Sequence, residues 1–559
     1  MSSSAPEMLT GARLCVAALE QAGVEVVFGL PGVHNLALWR ELGTSPIRLV
    51  GVRHEQTAAY AADGYARASG RVGVAATTTG PGAANTLGAV GEAWASRSPL
   101  LVIATDIPTR LRRPGVWRGV LHETTDQAAM FEPVTKATFR VSDPDELGSL
   151  TAEALATALA PPSRPVYLEV PTDLLAAAAS APAPGVSAEP AAPGAERPAA
   201  TAVDAAALDE AAERLSRARS PLIWAGGGAL QAAAGEALAR LAERLAAPVI
   251  LTFSGRGLLP PGHPCLADGP AHMPQIGGLW DEADVVLAVG SDLDGMSTQN
   301  WAQPQPQELV CVNVDRADAA KNYRADLVLE ADARAACEAL AERIEQRPGL
   351  DALGERLSAL RVQMLEQLER EDPDGVAFLH AFTSALPDEA TVVCDMCIPG
   401  YWFGAFGRVV APRGLLYPLG WGTLGCAFPQ ALGAALAGPG PVVSLSGDGG
   451  FLYACGELAA AAQERIPLTA VVVDDGGYGM IRYDQDLHGD PHEGVDLRSP
   501  DFAALARSFG VHADAVDGLG EEFSAALRRQ LALDEPSLLV ASATLGPPPN
   551  VSPRWYRRG

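Results

Sequence analysis

Two aspartates, each set among glycines, carry the first chemistry legible in this chain. Asp448 stands in Gly447-Asp448-Gly449-Gly450, directly after the apolar run Pro441 to Leu445. Asp475 stands in Asp474-Asp475-Gly476-Gly477, after a second apolar run from Leu468 to Val473. An Ala-rich amphipathic segment lies between them. The pattern is strand, Gly-rich turn, helix, strand, Gly-rich turn. In a parallel βαβ unit both turns fall at the same edge of the sheet, so the two carboxylates are expected to face one point. Glycine amides and a helix N-terminus there suit a phosphate, and two hard oxygen ligands suit Mg²⁺. Ser446 to Met480 therefore reads as a Mg²⁺-diphosphate site.

The elements that must position this stretch repeat the same alternation along the chain. Residues 8–180 alternate apolar strands with helical segments. Val26 to Gly29 enters the turn Leu30-Pro31-Gly32-Val33-His34. Ile47 to Val52 leads into Arg53-His54-Glu55-Gln56 and an Ala-rich helix. Val72 to Thr79 is closed by Gly80-Pro81-Gly82-Ala83-Ala84-Asn85. Residues 181–200 are almost all Ala, Pro, Gly and Glu, the composition of a linker. A second α/β unit begins at Pro221 to Trp224 with the turn Gly226-Gly227-Gly228. Charged helical sequence over 332–372 leads to a third unit. The expected fold class is α/β, three doubly wound parallel-sheet domains. The expected limits are 1–180, a linker 181–200, a middle domain 201–350, a helical linker 351–375, and 376–559.

Composition narrows the partners. With 559 residues, 48% hydrophobic and 19% charged, the chain is globular. A net charge of −26 argues against nucleic acid or an anionic membrane as partner. An anionic ligand must then be held by local donors. Of the eight cysteines only Cys394 and Cys397 are closely spaced, and one such pair signals reduced thiols rather than a zinc site. The N-terminal sequence has no basic region before an apolar core, and no apolar run approaches membrane-span length, so the expected location is cytoplasmic.

The diphosphate stretch resembles the thiamine diphosphate (ThDP) signature, Gly-Asp-Gly followed about two dozen residues later by Asn-Asn. Here 24 residues separate Gly449 from Asp474. Glu55, in RHEQTAAYAADGYAR, resembles the family's activating glutamate on the pyrimidine-binding domain. Gly422-Thr423-Leu424-Gly425 resembles the loop that holds the aminopyrimidine. The resemblance covers essentially the whole chain, in the order pyrimidine-binding, middle and diphosphate-binding. That order is similar to the acetolactate synthase-like and benzoylformate decarboxylase-like enzymes.

That resemblance implies roles. Glu55 shares a proton with the pyrimidine N1′, an exchange favoured where an apolar setting raises the carboxyl pKa. Leu424 props the cofactor in its bent form. The implied cofactor contacts also include Pro31, Gly80, Asn85, Cys397, Gly422, Gly447, Asp448, Gly449, Gly450, Asp475, Gly477, Tyr478, Gly479 and Met480. Asp448, Asp475 and the Gly477 carbonyl are the implied Mg²⁺ ligands. The substrate pocket is expected from Val33, His34, Leu121, His122, Ile398, Met480, Ile481 and Tyr483. His34 and His122 resemble pocket histidines of benzaldehyde lyase and 2-ketoarginine decarboxylase, and both are candidate proton donors or carboxylate ligands. Ile398-Pro399 replaces a Gln-His pair of the synthases. Trp555, Arg557 and Arg558 are candidates for a C-terminal lid. FAD is not expected, because Gly269 to Met273 and Ser291 to Asp294 depart from the flavin-binding pattern of the synthases. A homodimer or homotetramer with sites between subunits is implied.

The implied reaction is ThDP- and Mg²⁺-dependent decarboxylation of a 2-oxo acid. The resulting enamine is then protonated or added to an aldehyde or ketone acceptor. An acetolactate synthase-type acyl transferase is the alternative, and a catalytically silent ThDP-fold binding protein is a second. One departure stands out. Asp474-Asp475 occupies the place of Asn-Asn and sets extra negative charge beside an anionic diphosphate. Replacing Asp475 by Asn is therefore expected to tighten ThDP·Mg²⁺ binding by about tenfold, the equivalent of one like-charge contact of about 1.4 kcal/mol. Calorimetry from about pH 6 to about pH 8 measures this, and an unchanged affinity across that range counts against the charge argument.

Overall fold

A computed structural model describes residues 9–180 and 204–549. The stretch 181–200 and the tail residues Trp555, Arg557 and Arg558 lie outside the described residues. The described chain separates into two compact units. The first comprises residues 9–180, 421–439 and 454–466, and the second 204–420, 440–453 and 467–549.

The first unit is built on a six-stranded sheet: β1 (Val26–Gly29), β2 (Arg48–Gly51), β3 (Gly73–Thr77), β4 (Leu100–Asp106), β5 (Ala137–Arg140) and β6 (Val166–Pro171), in the order β2-β1-β3-β4-β6-β5. All its ladders are parallel. β1, β3, β4 and β6 are buried along their whole length, which explains their near-continuous apolar runs. β2 is shorter than Ile47–Val52, as suits an edge strand with one pairing partner, β1.

The second unit holds two sheets. The middle sheet contains β7 (Pro221–Ala225), β8 (Val249–Leu251), β9 (Val285–Val289), β10 (Leu309–Asn313) and β11 (Leu327–Glu330), ordered β11-β10-β9-β7-β8. The last sheet contains β12 (Thr391–Cys394), β13 (Leu415–Leu416), β14 (Val442–Gly447), β15 (Thr469–Asp474), β16 (His512–Asp517) and β17 (Ser537–Ser542), ordered β13-β12-β14-β15-β17-β16. Counted from its own first strand, this is the order of the first unit's sheet. The fold is α/β with three parallel sheets.

The charged segment after the middle sheet forms two helices, Ala333–Arg343 and Leu350–Glu371, separated near Gly349, whose φ is +102°. The Gly226-Gly227-Gly228 turn has a packing reason. Gly228 N–H donates to the Gly290 carbonyl at 2.9 Å, and a Cβ on Gly228 would stand 2.9 Å from Gly290 backbone. The Ala-rich segment after Gly450 is not one helix either. It breaks into Asp448–Leu452, a 3₁₀ turn at Cys455–Glu457, and Leu458–Glu464.

Within the first unit the Glu55–Ser69 helix is buried continuously from Thr57 to Ala66. A helix so enclosed must present small residues wherever it meets another. It packs on the Ala427–Ala434 helix, and a Cβ at Gly433 would collide with the Ala61 carbonyl, one at Gly64 with the Gln430 carbonyl. Glycine in an open helix costs about 1 kcal/mol against alanine. At this contact the sign reverses. Gly433→Ala is expected to destabilise the protein by about 1–3 kcal/mol. Urea unfolding measures it, and a stabilised variant would mean the two helices do not touch.

Candidate active site

Doubly wound sheets bind ligands at the carboxyl ends of the strands where the strand order reverses. In the last sheet that point lies between β12 and β14. β12 runs into Asp395 to Cys397 and β14 into Asp448, so the cofactor candidates Cys397 and Asp448 stand at the same reversal. Cys397 caps the Ile398–Phe406 helix, and burial pushes its thiol well above the usual range. β15 pairs in parallel with β14 and delivers Asp474 and Asp475 to the same edge.

The acids here are poorly answered. Asp448 is fully buried, and its Oδ1 has no hydrogen-bond partner among the described residues. The Ser499 hydroxyl lies 3.0 Å from Asp448 Oδ2 and 2.7 Å from Asp474 Oδ1. A hydroxyl carries one proton, so it donates to one of the two at a time. Burial, reinforced by the charges of Asp475 and Asp474, raises Asp448 to about 6. Asp475 is also raised, by burial first, against the pull of Arg482. An orphaned carboxylate oxygen amid three acids and a glycine turn is a donor set that a hard divalent cation would satisfy, so the residues fit Mg²⁺. Among the described residues no three His, Cys, Asp or Glu side chains form a metal cluster. Asp448 and Asp475 are the side chains that would hold the ion.

A strip of chain not marked by any motif shapes the second turn. Leu497 N–H donates to the Gly476 carbonyl and Tyr478 N–H to the Val495 carbonyl, each at 2.8 Å. Arg482 donates to the Asp475 carbonyl at 3.3 Å and pairs with Asp496 at 3.3 Å. Met480 packs against the core, Ile481 is half exposed, and Tyr483 shares their helix, Gly479–His488. Ile398 is buried in the core.

The first unit gathers the other candidates. Glu55 is the first residue of its helix, capped by His54, whose Nδ1 accepts from Gln56 N–H at 3.2 Å. Glu55 Oε2 accepts from Asn85 Nδ2 at 3.0 Å. A Cβ on Gly82 would stand 2.5 Å from Thr78 Cγ2, so this turn needs glycine to pack on Thr78. β1 and β3 flank the order reversal of this sheet, and their following turns meet. Gly32 packs on Thr78, and Asn35 ties the turn around Pro31 by accepting from Gly32 N–H at 2.8 Å and donating to the Leu30 carbonyl at 3.1 Å. Gly80 has φ +63° and lies against the His122 backbone, where a Cβ would meet the carbonyl. His122 itself has φ +65°.

The rings of His34 and His122 stand edge to face, centroids 5.3 Å apart. The Nδ1 of each is buried without a hydrogen-bond partner among the described residues. Burial, then the charge of His122, holds His34 below the usual histidine range. Val33 and Leu121, beside them, are exposed at 65% and 63%. Two imidazoles with open ring nitrogens can orient a carboxylate or pass a proton.

The Gly422–Gly425 loop is held from below. Gly422 has φ +73° and Leu424 is half-buried. Thr423 donates through N–H and Oγ1 to Glu92 Oε2 at 3.4 and 3.2 Å. Glu92 is fully buried, and burial raises it to about 7, with Asp63 adding and Arg67 subtracting. Asp63, also raised by burial, accepts from Gln430 Nε2 at 2.7 Å and pairs with Arg67 at 3.8 Å. Neither Glu92 nor Asp63 carried a sequence signal, since Thr423 and Gln430 lie more than 300 residues away.

In the second unit, a cavity of about 630 Å³, its open mouth included, lies among Trp224, Thr252, Asp268, His272, Ser297 and Ala405. Arg256 lines it and donates to the Gly404 carbonyl at 2.7 Å and to the Gly407 carbonyl. The raised Glu92 makes a prediction. The folded chain keeps a proton on it that the unfolded chain releases above about pH 4.5, so burying this acid costs progressively more stability as pH rises from about 4.5 to about 7. Glu92→Gln is therefore expected to gain about 3 °C in Tm against the parent between about pH 5 and about pH 8. A Tm difference that does not change with pH counts against it.

Three family models match the chain in order. They are the thiamine pyrophosphate enzyme N-terminal TPP binding domain over residues 9–130, the central domain over 208–340, and the C-terminal TPP binding domain over 397–541. A probable 2-ketoarginine decarboxylase of Pseudomonas aeruginosa is 41% identical over 90% of this chain and 88% of its own length. A probable acetolactate synthase large subunit of Methanocaldococcus jannaschii is 32% identical over 95% and 91%. In fold, the chain resembles a ThDP-dependent 4-hydroxybenzoylformate decarboxylase of Rhodococcus jostii, with a TM-score of 0.80, 24% identity, and coverage of 96% of this chain and all of that one. Glu55, the Gly-Asp-Gly turn and the three domain matches together make this chain a member of the thiamine pyrophosphate enzymes.

Proposed function

We propose that this enzyme decarboxylates a 2-oxo acid with ThDP and Mg²⁺, passing the product on as an aldehyde or joining it to a carbonyl acceptor. The observation that carries the reading is Glu55, first in its helix, with one carboxylate oxygen bonded to Asn85. When bound, the cofactor supplies the electron sink for the bond broken to CO₂. Glu55 holds the proton shared with the pyrimidine N1′, and Asn85 fixes its orientation. Leu424 would pack against the cofactor, and Thr423, held by Glu92, fixes that loop. Asp448, Asp475 and the Gly477 carbonyl would hold Mg²⁺, which would neutralise charge on the diphosphate. Gly447, Gly449, Gly450, Tyr478 and Gly479 line that end, with Cys397 beside them.

His34 and His122 receive the substrate carboxylate and return a proton to the product. Their open Nδ1 atoms support this role. The 41% likeness to a probable 2-ketoarginine decarboxylase makes a 2-oxo acid with a basic side chain the first substrate to try. Acyl transfer of the acetolactate synthase type is the second reading, favoured by the 32% likeness. The reading includes a homodimer or homotetramer, a cytoplasmic location and no FAD. Among the described residues no helix is long and apolar enough to cross a membrane.

The test is CO₂ release from a panel of 2-oxo acids, with and without aldehyde acceptors. One member is expected to turn over with ThDP and Mg²⁺ and to lose on the order of 100-fold or more in kcat in Glu55→Gln. Silence across the panel would favour a non-catalytic binding protein. Product growth only with added aldehyde would favour the carboligase.

A further inference from the structure

Glu457 lies nine residues past Asp448, between the Gly-Asp-Gly turn and Asp474-Asp475 but with no role assigned above, and its side chain is 2% exposed. Its carboxylate is turned away from solvent. Glu457 Oε1 accepts from Arg53 N–H at 3.0 Å and from His54 N–H at 2.9 Å, and Oε2 accepts from Arg53 N–H at 3.0 Å. These two amides immediately precede the Glu55 helix. They stand before its first turn, where a helix cannot satisfy them from within. The carboxylate takes both.

We propose that Glu457 is the positioning residue of Glu55: its carboxylate clamps the turn at Arg53 and His54, and the clamp fixes where the Glu55 carboxyl stands. The inference rests on the reading of Glu55 as the proton-holding group. The surrounding strand has separate anchors. β2 pairs with β1, Val52 N–H donates to the Gly29 carbonyl at 3.1 Å, and Arg48 donates to the Glu464 carbonyl at 2.9 Å. Arg53 reaches Gln463 Oε1 at 2.7 Å through its guanidinium. With these in place, loss of the Glu457 carboxylate loosens the turn without unfolding the strand. Glu55 then keeps its identity and loses its address.

Chemistry at the clamp makes the isosteric variant informative. A carboxylate offers two acceptor oxygens, whereas an amide offers one acceptor and an NH₂ donor. In Glu457→Gln that donor faces the Arg53 or His54 N–H, so the variant keeps shape and breaks the contact. Glu457→Asp keeps the charge and draws the carboxylate back by one methylene. It serves if the glutamine variant does not fold.

The experiment has two arms on the full-length protein. In the first, hydrogen–deuterium exchange of the cofactor-free protein is followed by mass spectrometry across residues 50–58. Glu457→Gln is expected to exchange faster at this segment and nowhere else in the first unit, with ThDP·Mg²⁺ affinity by calorimetry changed less than about threefold, since no new charge meets the diphosphate. In the second arm, kcat is expected to fall on the order of 10- to 100-fold with KM nearly unchanged, the scale of a misplaced catalytic group. The double variant Glu55→Gln/Glu457→Gln is expected to be no slower than Glu55→Gln alone. Unchanged exchange over 50–58, an unchanged kcat, or losses that multiply in the double variant would each overturn the proposal. Full turnover in Glu55→Gln would instead sink the reading of Glu55. The exchange arm, which needs neither cofactor nor substrate, tells that failure from a failure of the clamp.

Discussion

Carboxylates held out of water set the terms for this protein. Removing such a group from water is tolerated where donors or a cation answer it. Asp63 is answered by Gln430 and Arg67, and Glu92 by Thr423. At Asp448 the answer is incomplete: one serine hydroxyl serves two acids, and one oxygen has no partner. Asp63 also keeps one oxygen unpartnered among the described residues, so what marks Asp448 is its place at the sheet edge, where a ligand is expected, beside Asp474 and Asp475.

Topology decides where these acids gather. The first and last sheets share one strand order, so each has a reversal between its first and third strands. In one the reversal brings together the turns bearing Pro31, His34 and Gly80. In the other it brings together Cys397 and Asp448. Parallel pairing then carries Asp475 to the edge that Asp448 occupies. A doubly wound sheet does this for any sequence that can form it, and the residues set there decide what the edge can bind.

The parts of this arrangement that were legible in the sequence are those written locally. Gly-Asp-Gly between an apolar run and a helix, Glu55 ahead of an Ala-rich helix, and Asn85 after a Gly-Pro-Gly turn each announce their conformation within a few residues. Strand existence was legible for the same reason, since buried parallel strands are apolar runs. The rest is written across distance. Glu457 meets Arg53 over 404 positions, Thr423 meets Glu92 over 331, and Ser499 meets Asp448 over 51. A buried glutamate in an Ala-rich helix looks like any other helical glutamate until its partner is known. The broken helix after Gly450 was missed for a related reason. Its alanines favour a helix throughout, but Ala454, with ψ near 16° and φ −137°, leaves it. The interruption brings Glu457 to the turn at Arg53 and His54.

His122 combines two properties that seldom coincide, a ring that faces His34 and a backbone at φ +65°. That region of conformational space admits glycine, asparagine, aspartate and histidine with little strain and excludes branched side chains. The repertoire open to mutation at this position is therefore narrow. Variants that seek a new substrate range through His122 can exchange one small polar group for another. They cannot fill the space with valine or isoleucine without remodelling the turn against Gly80. Val33 and Leu121 are under no such restriction, since neither has a positive φ. Diversification of this mouth is thus channelled to the flanks of the histidine pair, while the pair itself is held by its backbone.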